Sequence, residues 1–338
     1  TKIYSNQMSN QPKYCVAVII PALNEELFIE RCIQSALAQS YPVADMEIVV
    51  VDGGSTDRTC DIVRALSAVH TNIRLLTNPR RLRSAAFNVG VSQSDASYII
   101  CMDAHVTYDA CYVERCVELL KAHPEYGNVG GVCEILPQNN SLIARANALL
   151  NHLRFGIGGA SFRVGSEAKA VDSVPFGAFR REVVNEIGYM REEAGRAEDN
   201  DYNFRIRQAG YLVWLDPAIR SSYYARATWG SSCRQMYANG VAIGNLFYIS
   251  PQAIGLRHLV PLMFVLSLLA TAVSACFTVY GLFALAAIFG AYVLAALVAD
   301  IAACSRYGWN YVFVLPPLFL SVHLSYGVGT LVGLVKRN

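Results

Sequence analysis

Short apolar runs alternate with segments of helical spacing along the first part of the chain. Four β-branched runs predict strands that are buried on both faces, at 15–20, 46–51, 73–76 and 98–102. Apolar residues between them recur at helical spacing and predict helices from Leu27 to Leu37, from a cap at Ser55 or Thr56 to about Ala68, and at 84–92. This order predicts an α/β fold with a doubly wound, mostly parallel sheet.

Polar residues follow the ends of three of these strands. Residues 21–26 come after the first strand, 52–57 after the second, and Asp103-Ala104-His105 after the fourth. Ligands of doubly wound sheets bind beyond the carboxyl ends of the strands. We therefore expect these polar residues to lie around one binding site.

The pattern becomes less regular past the third polar group. Helical spacing predicts helices at 109–122 and 198–210, and a short strand is predicted at 211–215. The pattern of the stretch 128–180 is harder to interpret, with glycine-rich pieces at 156–159 and around Gly177. The sequence thus indicates the first half of the sheet more clearly than the second.

The C-terminal part of the chain is strongly apolar. Hydrophobic residues make up 54% of the whole chain and charged residues 16%, against about 25% charged in an ordinary soluble domain. A helix of about 20 residues crosses the hydrocarbon core of a bilayer. Residues 259–338 are therefore predicted to form a transmembrane helical region of about three spans, at 259–280, 282–303 and 311–333. The preceding stretch, 231–258, is amphipathic and is predicted to lie at the membrane interface.

Positive charges near the spans predict the orientation. Arg257 and His258 precede the first span, and Arg306 lies between the second and third. The positive-inside rule then places the N-terminal domain in the cytoplasm, at the inner face of a plasma membrane. The side of the C-terminus stays open, because Pro316-Pro317 could turn the last segment into a re-entrant hairpin. Three full spans would instead place Lys336-Arg337 outside.

A glycine pair in the last segment allows two interpretations. Gly329 and Gly333 form a GxxxG motif, which lets membrane helices pack closely. Small residues are also common in spans that make no such contact. The sequence alone leaves both possibilities open.

Charge and cysteine content narrow the class of protein. The net charge of +2 does not favour a nucleic-acid binder, and the ten cysteines form no CxxC pair or zinc-like cluster. Free thiols in a reducing compartment are therefore expected. The predicted divisions are a polar tail without an apolar leader at 1–14, a catalytic-type domain at 15–230, and the interface and membrane segments described above.

Asp103 and His105 are candidate metal ligands. Side chains at positions i and i+2 of extended chain point the same way, and a carboxylate with an imidazole can hold Mn²⁺ or Mg²⁺. An isolated Asp-x-His motif is a weak predictor. Its place directly after a buried strand of this sheet favours the metal interpretation.

Two other charged groups have alternative interpretations. The acidic cluster 198–201 suits a solvated helix N-terminus, where the helix dipole favours acids. One of its carboxylates could instead act as a general base. Likewise Arg80, Arg81 and Arg83 could form a solvated face or contact phosphates.

As an ordered set, these motifs resemble the family 2 glycosyltransferases, which are inverting enzymes with the nucleotide-binding GT-A fold. The resemblance covers about 15–240 and rests on segments at 21–26, 49–59, 88–90, 98–105, 175–183 and 197–211. The Asp-Ala-His form of the metal motif and the apolar tail are similar to the succinoglycan-type glucosyltransferases of bacterial exopolysaccharide assembly.

The resemblance implies a role for each matching position. Asp199 would be the catalytic base, with Glu198 beside it, and Asp103 and His105 would serve the metal. Asp52 would hold the uracil base. The nucleotide-sugar site would comprise Pro21, Ala22, Asn24, Glu25, Asp52, Gly53, Asp103 and Ala104, with Arg81 or Arg83. Gly177, Ala178 and Phe179 would lie near the acceptor.

The implied reaction moves glucose or a related hexose from a UDP-sugar to a sugar carried on polyprenyl diphosphate, with Mn²⁺ or Mg²⁺ as cofactor. Two departures bear on it. The Gln-x-x-Arg-Trp motif of processive synthases is absent, since Ala238 and Asn239 follow Gln235, and this favours single additions. His105 replaces the usual second acid, which favours Mn²⁺.

Other functions remain to be separated from this one. Transfer onto polyprenyl phosphate itself is the main alternative, and a non-catalytic nucleotide-sugar-binding membrane protein is a weaker one. A dehydrogenase is not favoured, because no GxGxxG follows the first strand. The sequence does not indicate an oligomeric state.

Overall fold

The computed structural model describes residues 12–157 and 167–336. Most of the predicted N-terminal tail, part of the glycine-rich stretch 156–159 and Arg337 lie outside these residues. The described strands are β1 (Val16–Ala22), β2 (Met46–Asp52), β3 (Ile73–Thr77), β4 (Tyr98–Cys101), β5 (Val106–Tyr108), β6 (Tyr126–Pro137), β7 (Lys169–Ala170), β8 (Ala178–Arg180) and β9 (Leu212–Ala225).

The described helices follow a similar order. They are α1 (Ile29–Leu37), α2 (Thr59–Val69), α3 (Arg83–Ser92), α4 (Tyr112–Ala122), α5 (Leu142–His152), α6 (Arg181–Ile187), α7 (Glu198–Gln208), α8 (Trp229–Ile249), α9 (Leu256–Ala275), α10 (Val279–Tyr307) and α11 (Leu315–Lys336). Short 3-10 helices lie at Val43–Asp45, Glu192–Ala197, Pro251–Ala253 and Trp309–Tyr311.

One mixed sheet organises the first part of the structure. Its described strands run in the order β3-β2-β1-β4-β8-β6-β9-β5, and β7 pairs with β9. The pairs β3–β2, β2–β1, β1–β4 and β6–β9 are parallel, whereas β8 is antiparallel to both β4 and β6. The doubly wound, mostly parallel α/β fold is thereby confirmed, and the continuous apolar runs of β1 and β2 form its centre.

The second half of the sheet is larger than the sequence indicates. In place of the predicted short strand at 211–215, β9 extends over Leu212–Ala225. Asp216 and Pro217 look like a strand end, because proline is rarely found in central strands. The structure accommodates them in a bulge, where Gly131 pairs with Asp216 and the next pair is Val132 with Arg220.

The predicted cap of α2 is also wrong. Neither Ser55 nor Thr56 caps the helix, which begins at Thr59. Ser55 Oγ instead accepts a hydrogen bond from the Asn24 backbone N–H at 2.8 Å, and Asp57 Oδ1 accepts one from the Thr59 N–H at 3.0 Å. The first bond joins the turn after β1 to the turn after β2, and the second lies within the turn after β2.

Helix α8 packs along α11. A Cβ added at Gly329 would overlap the backbone carbonyl of Tyr237, and one added at Gly333 would overlap that of Val241. Gly240 on α8 meets the backbone of α11 in the same way. The GxxxG pair therefore makes a close helix contact, and one side of the predicted interface segment is covered by α11.

Three C-terminal helices are long and apolar enough to cross a membrane. They are α9, α10 and α11, with mean hydropathies of 1.9, 2.5 and 1.7. Helix α11 is continuous from Leu315, so its Pro316-Pro317 pair falls in the first helical turn, where proline is tolerated. The re-entrant hairpin is not formed. Large apolar side chains of α9 and α10 remain exposed, among them Val260, Val273 and Leu294.

Candidate active site

A cavity of about 570 Å³ opens beyond the carboxyl ends of β1 and β4. It is called the first cavity below. The predicted site residues that line it are Pro21, Ala22, Glu25, Gly53, Arg81, Arg83, Asp103, Ala104, His105, Glu198 and Asp199. The structure thus brings together residues from the turns after β1, β2 and β4 and from the start of α7.

Arg83 connects the carboxylates of this cavity. Its Nε donates to Asp103 Oδ1 at 2.8 Å. One terminal nitrogen of the same guanidinium donates to Glu198 Oε1 and to Asp199 Oδ1, both at 3.1 Å. Arg83 begins α3, so this helix places a single cation between the turn after β4 and the start of α7.

Asp103 and His105 face the cavity with Glu25 beside them. His105 Nδ1 lies 2.9 Å from Glu25 Oε1. Burial lowers the pKa of the imidazole, but the hydrogen bond to Glu25 and the charge of Asp103 outweigh it and raise that pKa. Burial likewise opposes ionisation of Asp103, yet Arg83 and then His105 hold its pKa below the ordinary value.

Glu198 and Asp199 differ in their surroundings. Glu198 is buried, and its Oε2 has no hydrogen-bond partner among the described residues. Burial, followed by repulsion from Asp199, raises the pKa of Glu198 to about 7. The Asp199 side chain is 44% exposed, which leaves it accessible from the cavity.

The third acid of the same cluster has a structural role. Asp201 is fully buried and forms ion pairs with Arg191 at 3.1 Å and with Arg205 at 3.0 Å. The pair with Arg191 anchors α7 to the segment that precedes it, and the pair with Arg205 lies within the helix. The acidic cluster therefore divides into one acid that does not line the first cavity and two acids that do.

Two predicted nucleotide-site residues lie beside the cavity without lining it. The Asp52 carboxylate accepts hydrogen bonds from the backbone N–H groups of Gly54 at 2.9 Å and Ser55 at 3.1 Å. Burial opposes its ionisation, but hydrogen bonding from the Ser55 side chain, together with these backbone bonds, holds its pKa below the ordinary value. Asn24, at a φ of 56°, accepts from the Thr56 N–H at 2.8 Å. Both side chains thus shape turns, while Gly53 lines the cavity.

The three predicted acceptor-side residues lie in β8 or directly before it. Ala178 and Phe179 are 0% and 2% exposed within the core around β8. Gly177 leaves no room for a side chain, because a Cβ there would overlap Asn128. The cavity wall is formed instead by the two preceding residues, Pro175 and Phe176. The pairing of β8 with β4, which the sequence pattern did not indicate, accounts for the difference.

Several residues that line the cavity are not indicated by the sequence pattern. Arg196 precedes α7, Tyr223 comes from β9, and Ser232, Gln235 and Asn239 come from α8. The last three recur at helical spacing on one face. The stretch that contains them is predicted to lie at the membrane interface, and its polar stripe faces the cavity.

The candidate ligands Asp103 and His105 fit a divalent ion whose coordination is completed by oxygens of the substrate. Among the residues described, no three His, Cys, Asp or Glu side chains could hold a metal by themselves. Asp103 and His105 nevertheless share the cavity wall, and Glu25 engages Nδ1 of the imidazole, which leaves Nε2 as the candidate ligand atom. Mg²⁺ is typically held by one or two carboxylates together with substrate phosphates.

Comparison with protein families decides the class of protein. The model of the family described as glycosyl transferase family 2 matches residues 17–188. The chain belongs to this family. It is accordingly a glycosyltransferase, and the predicted family and enzyme class are confirmed.

Individual relatives of this glycosyltransferase extend over most of the chain. A dolichyl N-acetyl-α-D-glucosaminyl phosphate 3-β-D-2,3-diacetamido-2,3-dideoxy-β-D-glucuronosyltransferase from Methanococcus voltae is 26% identical over 330 residues, which are 96% of this chain and 98% of the relative. The succinoglycan biosynthesis protein ExoA of Rhizobium meliloti is 31% identical over 247 residues, or 72% of this chain and 74% of the relative.

A solved structure supports the fold of the glycosyltransferase. A mannosyltransferase from Pyrobaculum calidifontis, in complex with GDP-mannose and Mn²⁺, superposes with a TM-score of 0.61. The two proteins are 20% identical, and the match covers 98% of this chain and 89% of the other. The GT-A-type α/β fold with a mostly parallel sheet is confirmed.

Proposed function

We propose that this glycosyltransferase moves a hexose, with inversion, from a UDP-sugar to a lipid-linked acceptor for polysaccharide or glycolipid synthesis. The observation that carries the proposal is the bridge from Arg83 to Asp103 and Asp199 inside one cavity. It joins the candidate metal ligand to the candidate base. The names of two relatives support the choice of acceptor and of pathway class. One is a transferase named for a dolichyl-linked sugar phosphate, and the other is a succinoglycan biosynthesis protein.

The proposed step is a direct displacement at the anomeric carbon. An acceptor hydroxyl oxygen forms the new bond to that carbon and loses its proton to Asp199. The bond to the donor diphosphate breaks, and its electron pair leaves with the nucleotide diphosphate. Asp103 and His105 would hold Mn²⁺ or Mg²⁺, which supplies charge stabilisation at the diphosphate when bound.

Two parts of the proposal concern nucleotide recognition and membrane orientation. Gly53 and Arg81 line the first cavity near the turns after β1 and β2, where the nucleoside would bind with Asp52 fixing the shape of the turn. The catalytic domain would face the cytoplasm, since Arg257 and Arg306 flank the apolar helices on that side.

Substitution Asp199→Asn tests the assignment of the base. General-base catalysis contributes about 10²–10⁴-fold, so we expect sugar transfer to fall by at least about 100-fold while binding of the nucleotide sugar is retained. The assay uses radiolabelled UDP- and GDP-sugars with membrane lipid extracts, with and without Mn²⁺. Asp61→Asn, an exposed acid on α2, is the matched control.

The products of the same assay separate the alternatives. Near-normal turnover of Asp199→Asn would show that another group acts as the base. Transfer onto bare polyprenyl phosphate, identified by mass spectrometry, would favour the lipid-phosphate alternative. If purified wild-type protein neither transfers nor hydrolyses any donor, the proposed reaction is wrong.

A further inference from the structure

A second cavity, of about 610 Å³, lies between the catalytic domain and the apolar helices. It shares Arg196, Asp199 and Asn239 with the wall of the first cavity. The two cavities therefore meet at the candidate base. A molecule that filled the second cavity would present one end to Asp199.

The far part of the second cavity is apolar and is formed by helices that could span a membrane. Val260 and Phe264 come from α9, Tyr292 from α10 and Val322 from α11. Val260 remains 66% exposed. Side chains of this kind provide a surface for hydrocarbon rather than for a nucleotide or a free sugar.

The part of the second cavity near the catalytic domain is positively charged. Arg154, Arg196 and Arg257 line it, and Asp199 is the acid among its described lining residues. Arg257 is already paired with Asp172 at 2.9 Å, whereas the Arg196 Nε donates to the neutral Asn239. Arg154 is exposed and forms no ion pair among the described residues. Two arginines are therefore available for an anion.

Hydrogen bonds fix the walls between these two parts. His323 Nε2 lies 2.7 Å from the Gly156 carbonyl oxygen, and its Nδ1 lies 2.9 Å from the Tyr292 hydroxyl. His258 Nδ1 lies 2.7 Å from the Tyr326 hydroxyl. These bonds connect α9, α10 and α11 to one another and to Gly156, which follows α5. The cavity is therefore a feature of the packed fold.

From this arrangement we infer that the second cavity binds the isoprenoid chain and the phosphate of the lipid-linked acceptor. The phosphate pairs with Arg154 and Arg196, and the hydrocarbon lies against Val260 and Phe264. The inference rests on the proposed function, which supplies the kind of molecule that is bound. The inference adds the site of the lipid and the two arginines that recognise its phosphate.

A matched pair of lipids tests the assignment. The binding of tritiated geranylgeranyl phosphate to the full chain in detergent is measured. Geranylgeraniol, which has the same tail without the charge, is added as a competitor to obtain its affinity. We expect the phosphate to bind at least tenfold more tightly than the alcohol. The double variant Arg154→Gln/Arg196→Gln should lose that difference, whereas Arg306→Gln, an exposed arginine outside the cavity, should keep it.

A second pair of variants tests the apolar part. Val260→Trp should weaken binding of both lipids about tenfold. Val273→Trp, on the same helix and 60% exposed outside the cavity, should leave both affinities unchanged. Equal binding of phosphate and alcohol to the wild type would overturn the inference. So would wild-type affinities in both cavity variants, or equally strong competition by phosphatidylglycerol or inorganic phosphate.

These measurements test the lipid site and the proposed sugar transfer separately. Binding is measured without a sugar donor, so it does not depend on the proposed reaction. If the lipid phosphate binds as expected but no donor is used, the proposed function is wrong and the lipid site stands. If transfer occurs and both cavity variants bind lipid normally, the reaction stands and the lipid site is wrong.

Discussion

Arg83 holds three carboxylates that are separated along the chain. Removing it would leave Asp103, Glu198 and Asp199 close together without their shared cation, and breaking a buried ion pair typically costs about 3–5 kcal/mol. We expect Arg83→Gln to lower the free energy of unfolding by about 3 kcal/mol. Thermal unfolding in detergent provides the measurement.

Two further variants make that result specific. Arg83→Lys keeps the charge but not the planar guanidinium that reaches several carboxylates, so an intermediate loss of stability is expected. Arg64→Gln removes an exposed ion pair with Asp61 and should cost less than about 1 kcal/mol. Equal shifts for Arg83→Gln and Arg64→Gln would contradict a central role for Arg83.

The raised pKa of Glu198 predicts a pH dependence of stability. Burial and Asp199 raise this pKa from its ordinary value of 4.5 to about 7. Between these values the folded protein binds a proton that the unfolded chain has lost, so this stabilisation declines as the pH rises toward and through 7. Glu198→Gln mimics the protonated form and should remove the decline.

Melting temperatures at pH 5.5 and 8.0 check this prediction. From pH 5.5 to 8.0, the melting temperature of Glu198→Gln should rise relative to that of the wild type. The melting temperature of Glu118→Gln, which alters an exposed acid on α4, should change as the wild type does. Parallel curves for wild type and Glu198→Gln would mean that Glu198 is ionised at both pH values in the folded protein.

Residue types at strand ends were sufficient to predict that side chains from separate segments meet at one cavity. Asp103, His105 and Glu25 could be placed there because each follows an unambiguous buried strand. The bridging position of Arg83 was not predictable, because it depends on how the start of α7 packs against the turn after β4. A sequence pattern reports the face on which a side chain lies, but not its partner from a distant segment.

At the scale of elements, the contact between α8 and α11 fixes one wall of the first cavity. Gln235 and Asn239 project from α8 into that cavity, while Gly329 and Gly333 let α11 approach the other side of α8. Gly329→Leu would force the helices apart, and overpacking of this kind costs about 1–3 kcal/mol. We expect a lower melting temperature together with reduced sugar transfer.

Gly290→Leu is the matched control for this element. Gly290 also lies within an apolar helix, but a Cβ added there would meet nothing within 4 Å. Its melting temperature and activity should stay close to those of the wild type, since leucine favours helix formation over glycine. If both leucine variants behave alike, the α8–α11 contact does not control the cavity wall.

The local sequence pattern predicted elements whose faces are all buried in the core better than elements whose faces meet two different surroundings. Strands β1 and β2 are apolar throughout and were predicted within two residues of their ends. Helix α8 has one face on α11 and another on the cavity, so its amphipathic pattern was interpreted as that of a segment at the membrane interface. Strand β9 was predicted too short because its bulge contains Asp216 and Pro217.

At the scale of the whole molecule, the catalytic domain and the apolar helices share a core. Leu149 and Leu150 of α5 and Met236 of α8 pack with Leu318 and Phe319 of α11. The predicted division at residue 230 therefore crosses continuous packing. Removal of α11 would uncover apolar surface on both α5 and α8, and exposed patches of that kind promote association.

This shared core predicts that the catalytic domain cannot be released by truncation. A chain that ends at residue 255 retains the whole sheet and the first-cavity residues, yet it loses the cover over α5 and α8. We expect it to aggregate without detergent and to bind nucleotide sugar weakly, whereas the full chain in detergent elutes as a single species. Size-exclusion chromatography and equilibrium binding measure both properties. A monodisperse, detergent-free truncated chain with wild-type donor affinity would show instead that the sheet folds independently, and that α11 serves only to hold the enzyme at the membrane.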